Sequence, residues 1–409
     1  MARTRRLAAL AHHDLRLFFI GESASLLGSS MATVAVTFAV LDGGGTEADL
    51  GYVMAARIVP MVVLMLVGGA VADRFGPRRV MVAADVLRCA VQAVLAVSLL
   101  TGRPAVWTFV VLLAMWGAGE SFYAPARGAL IPEIAASGEP YEGKLRDANA
   151  LAGMAGSLAS VAGPALAGLA VATAGSGVVV AVDALTYVVS AVALLALRVQ
   201  ERPSRAAGTG GGAASLLEGW AQFRSRTWLW VTTLQFTLFN LLVWAPFLVL
   251  GPVVAHERLG GARDWGVIMA FYGSGAVVGG LGSLGRRTPR RPLVVATVAT
   301  AGWALPSGAI AAGLPVLPVS GAAFVAGIGS AVCGMLYATT NQRHLPAEVM
   351  ARITSLTTVG AFALGPLGLA LAGPVAALAG TTAVLGFGAI WQITTGLAVL
   401  VVPAVRRLG

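Results

Sequence analysis

Long apolar runs recur along the whole chain and restrict its possible folds more than any other feature. A run of roughly 20 apolar residues can cross the hydrocarbon core of a bilayer as a helix. Twelve such runs are present, at residues 16–41, 48–72, 79–101, 105–127, 148–173, 177–198, 228–252, 265–285, 292–312, 316–341, 353–378 and 382–403. Because the runs are long and lack strict alternation of apolar and polar residues, helices rather than strands are predicted. With 57% hydrophobic and only 11% charged residues, the chain has too few polar groups to cover a water-facing surface.

The placement of basic residues predicts the orientation of these spans. Twelve spans put both termini on one side, and with the N-terminus inside only Arg103, Arg258 and Arg263 fall in outer loops. Cytoplasmic loops carry the excess of Lys and Arg, so both termini are predicted to be cytoplasmic. The basic residues form short clusters between apolar runs, which predicts membrane loops and no nucleic-acid partner. We therefore expect a multi-pass protein of the bacterial cytoplasmic membrane.

The longest polar interval, residues 199–227, divides the spans six and six. It separates an N-terminal half (1–198) from a C-terminal half (228–409), and its Gly-rich part predicts a flexible linker. Its last part, SLLEGWAQFRSR at 215–226, predicts an amphipathic helix on the inner membrane surface. Short matches recur in corresponding spans of the two halves. Such duplication is expected of transporters with a substrate site where the halves meet.

A short charged segment, GGAVADRFGPRR at residues 68–79, follows the second span. It resembles the signature cytoplasmic loop of the major facilitator superfamily of transporters. Three further segments resemble the bacterial drug and siderophore exporters of that family (macrolide-efflux and enterobactin-exporter type): FYAPARGALIPEI (122–134), WGVIMAFYGSGAVVGG (265–280) and NQRHLPAEVMARITSL (341–356). The resemblance implies an all-α membrane protein with 12 transmembrane helices in two pseudo-symmetric six-helix halves.

By the same resemblance, the segment after span 2 is expected to be a cytoplasmic gate. Its members are Gly69, Asp73, Arg74, Gly76, Arg78 and Arg79. Asp73 is expected to act in the gate, and Arg78 and Arg79 to anchor the segment, whereas anchoring alone is the alternative for all of it. The chain departs from the family where drug/proton antiporters often carry an arginine in span 4, since Glu120 stands in that span. The Gly-Pro motif of span 5 is partial, and the second-half copy of the loop (279–291) lacks the aspartate.

Polar side chains at helical spacing form a stripe in each of spans 1, 4, 7 and 10, the spans that line the central cavity in the family resembled. Polar groups in mid-membrane are costly, so they are candidates for function. The predicted substrate-cavity residues are Ser25, Ser29, Thr33, Trp116, Tyr123, Thr237, Asn240, Trp244, Cys333, Tyr337 and Asn341. The alternative is that these faces join helices through hydrogen bonds, as we expect for a similar stripe in span 6 that contains Asp183 and Tyr187. A carboxylate in the stripe favours the cavity for spans 1 and 4, whereas both interpretations stay open for spans 7 and 10.

Carboxylates within the spans are confined to the first half, at Glu22, Asp85, Glu120 and Asp183. Loss of water disfavours the charged form of a carboxyl group, so such a group can bind and release protons near neutral pH. Asp85 has Arg88 one turn along the helix, which predicts a structural ion pair. We predict Glu22 and Glu120 as the proton-coupling residues, with Arg57 as a counter-ion for Glu22.

Gly-Pro pairs stand in spans 5 and 11, at Gly163 and Pro164 and at Gly365 and Pro366. Glycine allows close approach of another helix and proline bends a helix, so each pair is predicted either as a kink or, by resemblance, as a hinge.

The predicted function is secondary active transport, not enzymatic catalysis. We expect export of a small amphipathic or hydrophobic compound, such as an antibiotic, drug or siderophore, by proton antiport with alternating access. The sequence contains no Walker P-loop, so a proton gradient rather than ATP is predicted to drive it, and neither a cofactor nor a metal site is predicted. The expected partners are the small-molecule substrate and the lipid bilayer, with the protein as a monomer. The alternatives are a nutrient importer or facilitator of the same fold, and a non-transporting membrane sensor.

Overall fold

A computed structural model of the chain describes residues 12–136, 144–198, 220–283, 289–345, 353, 356–357, 360–361 and 364–408. Within these ranges the regular structure is helical, as predicted. The α-helices are α1 His13–Asp42, α2 Glu47–Phe75, α3 Pro77–Thr101, α4 Val106–Ala136, α5 Lys144–Ala174, α6 Ser176–Leu195, α7 Thr227–Phe239, α8 Ala245–Arg258, α9 Gly261–Ser283, α10 Pro292–Thr300, α11 Ala304–Ala311, α12 Val316–His344, α13 Gly365–Ala379, α14 Thr381–Val401 and α15 Pro403–Arg406.

Two predicted spans are each built from two helices. A π-helical turn, Asn240–Trp244, joins α7 to α8, and a 3₁₀ turn, Ala301–Trp303, joins α10 to α11. Counted in this way, eleven helical segments of the described chain are long and apolar enough to cross a membrane, and α13 is a shorter apolar helix. The predicted span 353–378 covers α13 and begins in a part of the chain that is only partly described.

Large apolar side chains are exposed on the outer faces of many helices. Leu378 is 92% exposed, and Leu317 and Val401 are each 72% exposed. Soluble monomers rarely present so much contiguous apolar surface. These faces suit contact with lipid chains, where helices satisfy their own backbone hydrogen bonds.

Residues 73–78, the part of the segment 68–79 predicted to connect spans 2 and 3, are helical except at Gly76, so the prediction of a loop there was wrong. The helix α2 continues to Phe75 and α3 begins at Pro77, which leaves Gly76 alone between them. Gly76 has φ 90°, a left-handed backbone conformation that glycine adopts without strain. Pro77 then starts α3, where its fixed φ and missing N–H are tolerated.

Contacts between residues divide the chain into two compact units. The first unit contains the described residues up to Gly45 and those from Tyr52 to the residues just after α6. In it α1 packs against α5 and α6, and α3 packs against α4 and α6. The helices α2 and α4 approach closely because Gly117 on α4 lies at the backbone of Arg57, where any Cβ would overlap the Arg57 carbonyl oxygen. An apolar cluster that includes Met81, Leu130 and Ile134 fills the end of the unit where α1 and α3 begin.

The second unit contains Thr46–Gly51 and the described residues from 220 onward. Its central contact is between α9 and α12, and α12 also packs against α10. Glycines make the first contact close, because a Cβ at Gly275 or Gly327 would overlap the backbone of the facing helix. Of the predicted amphipathic helix 215–226, residues 220–225 are described and helical, and Phe223 packs into an apolar cluster with Trp228 and Leu229. The remaining residues of that helix, 215–219, and most of the linker lie outside the described residues.

Candidate functional site

Seven charged side chains of the first unit lie away from the first and last turns of its helices, and six of them form ion pairs. They are Glu22 on α1, Arg57 on α2, Asp85 and Arg88 on α3, Glu120 and Arg127 on α4, and Asp183 on α6. Charge buried in this way is costly unless it is paired. Their contacts therefore decide which of them could change charge during a transport cycle.

Arg57 of α2 is held by side chains from two other helices. Its Nη2 and Nε donate to Glu120 Oε2 over 2.9 and 3.3 Å, and its Nη1 donates to Thr33 Oγ1 over 2.8 Å. The guanidinium carbon lies 3.7 Å from the centre of the Trp116 ring, a cation–π contact. Gly117 makes this cluster possible because it brings the backbone of α4 against that of α2.

Glu22 is paired with Arg127 rather than with Arg57, so the predicted counter-ion was wrong. Arg127 Nε lies 2.6 Å from Glu22 Oε1 as an ion pair, without the alignment of a hydrogen bond. Tyr123 donates its hydroxyl to Glu22 Oε2 over 2.9 Å. The predicted stripe of α4 thus has two sets of partners. Trp116 and Glu120 contact Arg57 of α2. Tyr123 and Arg127, further along the helix, contact Glu22 of α1.

Asp85 and Arg88 form the predicted ion pair one turn apart on α3, and both are almost fully buried. The Arg88 guanidinium also lies against two aromatic rings, with its central carbon 4.1 Å from the ring centre of Tyr123 and 4.5 Å from that of Tyr187. These contacts surround the arginine on several sides. The pair is therefore a structural joint between α3, α4 and α6.

Tyr187 of α6 connects two of the predicted cavity residues. Trp116 Nε1 donates to the Tyr187 hydroxyl over 2.6 Å, and Ser29 Oγ lies 2.8 Å from the same oxygen. The sequence stripe of span 6 contained Tyr187 but was interpreted as packing, so its place in this network was missed. Ser25, another predicted cavity residue, is buried, and its carbonyl oxygen accepts a hydrogen bond from Ser29.

Asp183 is the remaining buried carboxyl group of the first unit. Its Oδ2 accepts a hydrogen bond from Gln92 Nε2 of α3 over 2.7 Å. Gln92 is itself fully buried. The sequence pattern placed Asp183 among the carboxylates within the spans and in a packing stripe of span 6. It did not indicate Gln92, because a single glutamine in an apolar run carries no spacing signal.

The predicted gating residues lie at and around the junction of α2 and α3. Asp73, Arg74 and Arg79 are exposed, and Gly69 approaches Pro125 of α4. Arg78 donates from Nη2 to the carbonyl oxygen of Leu195 at the end of α6. A cation at the C-terminal carbonyls of a helix is a favourable cap, so this contact fits the predicted anchoring role of Arg78.

The predicted hinge glycines have different surroundings. Gly163 on α5 faces α1, where a Cβ would overlap the side chain of Ser30, and Pro164 follows it inside the helix. Gly365 and Pro366 instead form the first turn of α13, with open space beside Gly365. Close approach of two helices is therefore seen at the first pair only.

The second unit contains a cavity of about 110 Å³. Its lining is aromatic and uncharged, and consists of Gln235, Phe236, Phe239, Thr300, Trp303, Ser330, Cys333, Gly334 and Gln392. Cys333 is the predicted cavity residue that the structure places in this wall. The wall is drawn from α7, α10, α12, α14 and the 3₁₀ turn, so the cavity lies inside the unit.

Trp303 is the centre of the aromatic wall, and sequence analysis did not identify it. Its ring centre lies 4.6 Å from that of Trp244 and 4.9 Å from that of Tyr272, and its Nε1 donates to Ser330 Oγ over 2.7 Å. Phe239 and Phe247 also contact it. Trp244, a predicted cavity residue, is therefore not among the lining residues; it packs against Trp303, which is.

Two glutamines present unpartnered polar atoms in this cavity. Gln235 Nε2 and Gln392 Oε1 are buried and have no hydrogen-bond partner among the described residues. Gln392 Nε2 donates to the carbonyl oxygen of Thr300 over 2.9 Å, which fixes the side chain. With Thr300 and Ser330, these two glutamines supply the polar groups of a mostly apolar lining.

The other predicted residues of spans 7 and 10 join helices. Thr237 Oγ1 donates to Gly360 O over 2.7 Å, and Asn240 Nδ2 donates to Ala361 O over 3.1 Å. Tyr337 accepts a long hydrogen bond of 3.4 Å from Thr232 Oγ1. Asn341 is buried near the end of α12. Among the described residues, no group of three or more His, Cys, Asp or Glu is placed to hold a metal ion.

Comparison with known proteins identifies the family. Residues 18–369 match the sequence profile of the Major Facilitator Superfamily. The multidrug efflux pump Tap of Mycolicibacterium fortuitum is 30% identical over 398 residues, with 93% of each chain covered. Tap of Mycobacterium tuberculosis (strain ATCC 25618 / H37Rv) is 31% identical over 93% of this chain and 91% of its own. Macrolide efflux protein A of Streptococcus pyogenes is 22% identical over 86% of each chain.

Solved structures agree on the fold. The nucleoside transporter NupG (D323A mutant) has a TM-score of 0.75 at 12% identity and covers 95% of this chain and 99% of its own. A bacterial homologue of the iron transporter ferroportin has a TM-score of 0.71 at 14% identity, with 95% and 97% covered. The resemblance to bacterial drug exporters is therefore confirmed, and the protein is a multi-pass protein of the cell membrane. By its profile match and by relatives that cover nearly its full length, the chain belongs to the Major Facilitator Superfamily.

Proposed function

We propose that this transporter exports a small amphipathic or hydrophobic compound, such as an antibiotic, drug or siderophore, by proton antiport with alternating access. One observation carries the proposal. In the described chain, the three buried carboxyl groups and the partly exposed Glu120 all belong to the first unit, whereas the cavity of the second unit is lined by aromatic and uncharged groups. Proton chemistry and cargo contact are thus supplied by different helices.

Glu22 and Glu120 are the proposed proton-coupling residues, because a paired carboxylate has two alternative partners. It can hold an arginine or it can hold a proton, and a proton on the carboxyl group removes the charge that retains the arginine. Glu120 is 31% exposed and Arg57 18% exposed at the side chain, so solvent reaches this pair. Protonation of Glu120 would break the ion pair between Arg57 and α4, leave only the cation–π contact with Trp116, and so loosen the contact between α2 and α4.

The cavity of the second unit fits part of an uncharged organic molecule. About 110 Å³ is space for a ring or a short branched group, and aromatic faces such as that of Trp303 bind such groups by stacking. Gln235 and Gln392 add one hydrogen-bond donor and one acceptor. The names of the relatives, a multidrug and a macrolide efflux pump, support efflux of such compounds.

Gating and bending complete the proposed cycle. Asp73, at the end of α2, is the proposed gate residue, and Arg78 and Arg79 hold the start of α3 in place. Gly163 and Pro164 are proposed as a hinge in α5, since the glycine there allows close contact with α1. Gly365 and Pro366, at the start of α13, are the proposed counterpart.

The test is export of a labelled macrolide by everted membrane vesicles under an imposed proton gradient. Glu22→Gln and Glu120→Gln should each slow gradient-driven transport by at least about tenfold, with downhill exchange of the macrolide retained. Glu257→Gln is the matched control, because Glu257 is an exposed carboxylate at the end of α8. Wild-type rates in both single variants and in the double variant would reject the carrier assignment. Transport only in the opposite direction would favour the importer, and absence of flux with any cargo would favour the sensor.

A further inference from the structure

Asp183 differs from every other buried carboxyl group described in the first unit. It is 0% exposed and lies on α6 against α1 and α3. Its Oδ2 accepts a hydrogen bond of 2.7 Å from the neutral amide of Gln92, and its Oδ1 is 3.4 Å from Thr186 Oγ1. Both partners are uncharged.

The charges of this region do not balance. Three buried carboxyl groups and the partly exposed Glu120 lie with three arginines in this region. Each arginine contacts a carboxylate other than Asp183: Arg57 contacts Glu120, Arg88 contacts Asp85 and Arg127 contacts Glu22. Arg88 and Arg57 are within electrostatic range of Asp183. Each of them lies nearer to its own carboxylate, so one negative charge remains uncompensated, and it falls on Asp183 if all four groups are ionised.

The groups that face Asp183 leave no place for a further cation among the described residues. From α1 the nearest residue is Gly28, where a Cβ would lie 2.6 Å from Asp183 Oδ1. From α3 it contacts Gln92, and the thiol of Cys89 on α3 and the hydroxyl of Tyr187 on its own helix are within electrostatic range. An isolated ionised carboxylate in such surroundings costs far more than a neutral carboxylic acid.

Gln92 is a partner that suits a carboxyl group with or without a proton. Its amide donates through Nε2 and accepts through Oε1, so turning the amide over lets it accept from a carboxylic acid. At present Nε2 donates to Asp183, and Oε1 is buried without a partner among the described residues. An arginine at this place would hold Asp183 ionised, whereas a glutamine serves both states.

Asp183 is also connected to the proposed coupling pair. Tyr187, one turn further along α6, contacts Ser29 of α1 and accepts from Trp116 of α4. Trp116 lies under the guanidinium of Arg57. A change of charge at Asp183 that moves α6 would therefore displace Tyr187, and through its hydrogen bond Trp116, which contacts Arg57.

We propose that Asp183 is a proton-binding site of this transporter, which holds the proton while Glu22 and Glu120 are paired with arginines, and that Gln92 positions it. The inference rests on the proton antiport proposed above. The step is a protonation only: a proton from water adds to Oδ2, the Gln92 amide turns to accept it, and the proton returns to water later in the cycle. Release requires water at the carboxyl group, which separation of α6 from α1 at Gly28 would admit.

The first experiment uses purified protein in liposomes with a pH-sensitive dye inside and a labelled macrolide as cargo. In the wild type, macrolide movement should drive proton movement in the opposite direction. Asp183→Asn should keep macrolide exchange within about twofold of wild type, because exchange needs no net proton transfer, but gradient-driven accumulation should fall at least about tenfold. Proton coupling equal to wild type in Asp183→Asn would overturn the assignment of Asp183 and leave the proposed antiport standing. A wild-type protein that carries the macrolide without moving protons would overturn the antiport itself.

A second measurement needs no variant and so does not depend on whether Asp183→Asn folds. Infrared spectra of wild-type protein at neutral pH should contain the carbonyl band of a protonated carboxylic acid. That band should shift when the protein carries ¹³C-labelled aspartate, and it should stay in place with ¹³C-labelled glutamate. A band that follows the glutamate label, or no such band, would contradict the inference.

Gln92→Leu tests the positioning role with a readout that a packing role would not move. The variant keeps the carboxyl group but removes the partner that suits both states, so the pH at which the infrared band titrates should change. Thr186→Val is the matched control, since its contact with Asp183 Oδ1 is long at 3.4 Å. An unchanged pH profile in Gln92→Leu would remove Gln92 from the proposal.

Discussion

Arg57 on α2 holds Glu120 on α4 through two hydrogen bonds that end on the same carboxylate oxygen, Oε2. Thr33 of α1 takes a third donor of the same guanidinium. Three helices of the first unit therefore meet at one side chain.

The first prediction concerns this pair. Arg57→Gln should destabilise the protein more than the double variant Arg57→Gln/Glu120→Gln, because the single change leaves a carboxylate without its cation. Breaking a buried pair costs about 3–5 kcal/mol, and the partial exposure of this one lowers our expectation to about 1–3 kcal/mol. Thermal unfolding in detergent of both single variants and the double variant measures the coupling. Additive effects of the two changes would contradict the prediction.

Trp116→Phe should lower stability through two lost contacts. The hydrogen bond to Tyr187 contributes about 0.5–1.5 kcal/mol, and a phenyl ring is a weaker cation–π partner than indole for Arg57. Trp107→Phe on the same helix is the control, because Trp107 is 68% exposed and should tolerate the change. Unfolding temperatures of the two variants in detergent check the contrast. Equal shifts would show that Trp116 acts only as a bulky apolar group.

Gly117→Ala should separate α2 from α4. The added methyl group would meet the Arg57 backbone carbonyl, which cannot turn aside, so a loss of about 1–3 kcal/mol is expected. Gly128→Ala, on the same helix, meets nothing within 4 Å and should be neutral or gain up to about 1 kcal/mol from helix propensity. Thermal unfolding of both variants, with the rate of proton-driven transport, tests whether close contact at Gly117 is needed.

Gln235→Leu and Gln392→Leu should behave differently in the cavity of the second unit. Gln235 Nε2 has no partner among the described residues, so its loss should leave stability nearly unchanged but weaken binding of a polar cargo by about 2–10-fold, the effect of one hydrogen bond. Gln392 donates to Thr300, so Gln392→Leu should also destabilise the unit. Equilibrium binding of a labelled macrolide and thermal unfolding separate the two effects. Loss of proton coupling with unchanged binding in Gln235→Leu would argue against a cargo role.

Asp73→Asn should impair turnover and leave cargo binding largely intact. Asp73 is exposed at the end of α2 and does not line the cavity, so its loss should not remove a contact with the cargo. Its proposed role is to close the cytoplasmic face. Transport rate and equilibrium binding of the same macrolide, measured in parallel, give the comparison. Arg74→Gln, the neighbouring exposed charge, serves as control. Weakened binding with a normal cycle would exclude the gate.

The helices and one ion pair followed directly from sequence patterns. Long apolar runs specify membrane helices, and Asp85 with Arg88 was predictable because residues one turn apart on a helix must be neighbours. The partner of Arg57 was not predictable, because it depends on which helix approaches α2. That approach is set by Gly117, and a glycine in an apolar run gives no indication of which helix it faces.

Partners on different helices were missed for the same reason. Spacing showed that Asp183 and Tyr187 share a face, but Gln92 and Trp116, which they contact, lie on α3 and α4. Only some of the residues that line the aromatic cavity could be predicted from helical spacing. Cys333 was predicted, whereas Trp303 stands in a 3₁₀ turn where helical spacing does not apply.

The π-helical turn at Asn240–Trp244 places residues five apart on one face. In a regular helix Phe239 would share a face with positions 243 and 246, yet here Phe239, Trp244 and Phe247 all contact Trp303. A regular α-helix advances by about 100° per residue, so regular winding at the present chain length would turn Trp244 and Phe247 away from that ring. The π turn thus accommodates one extra residue and keeps both rings in phase with Phe239. Deletion of one residue between Phe239 and Trp244 should therefore restore a regular helix and leave the aromatic contacts with Trp303 in place.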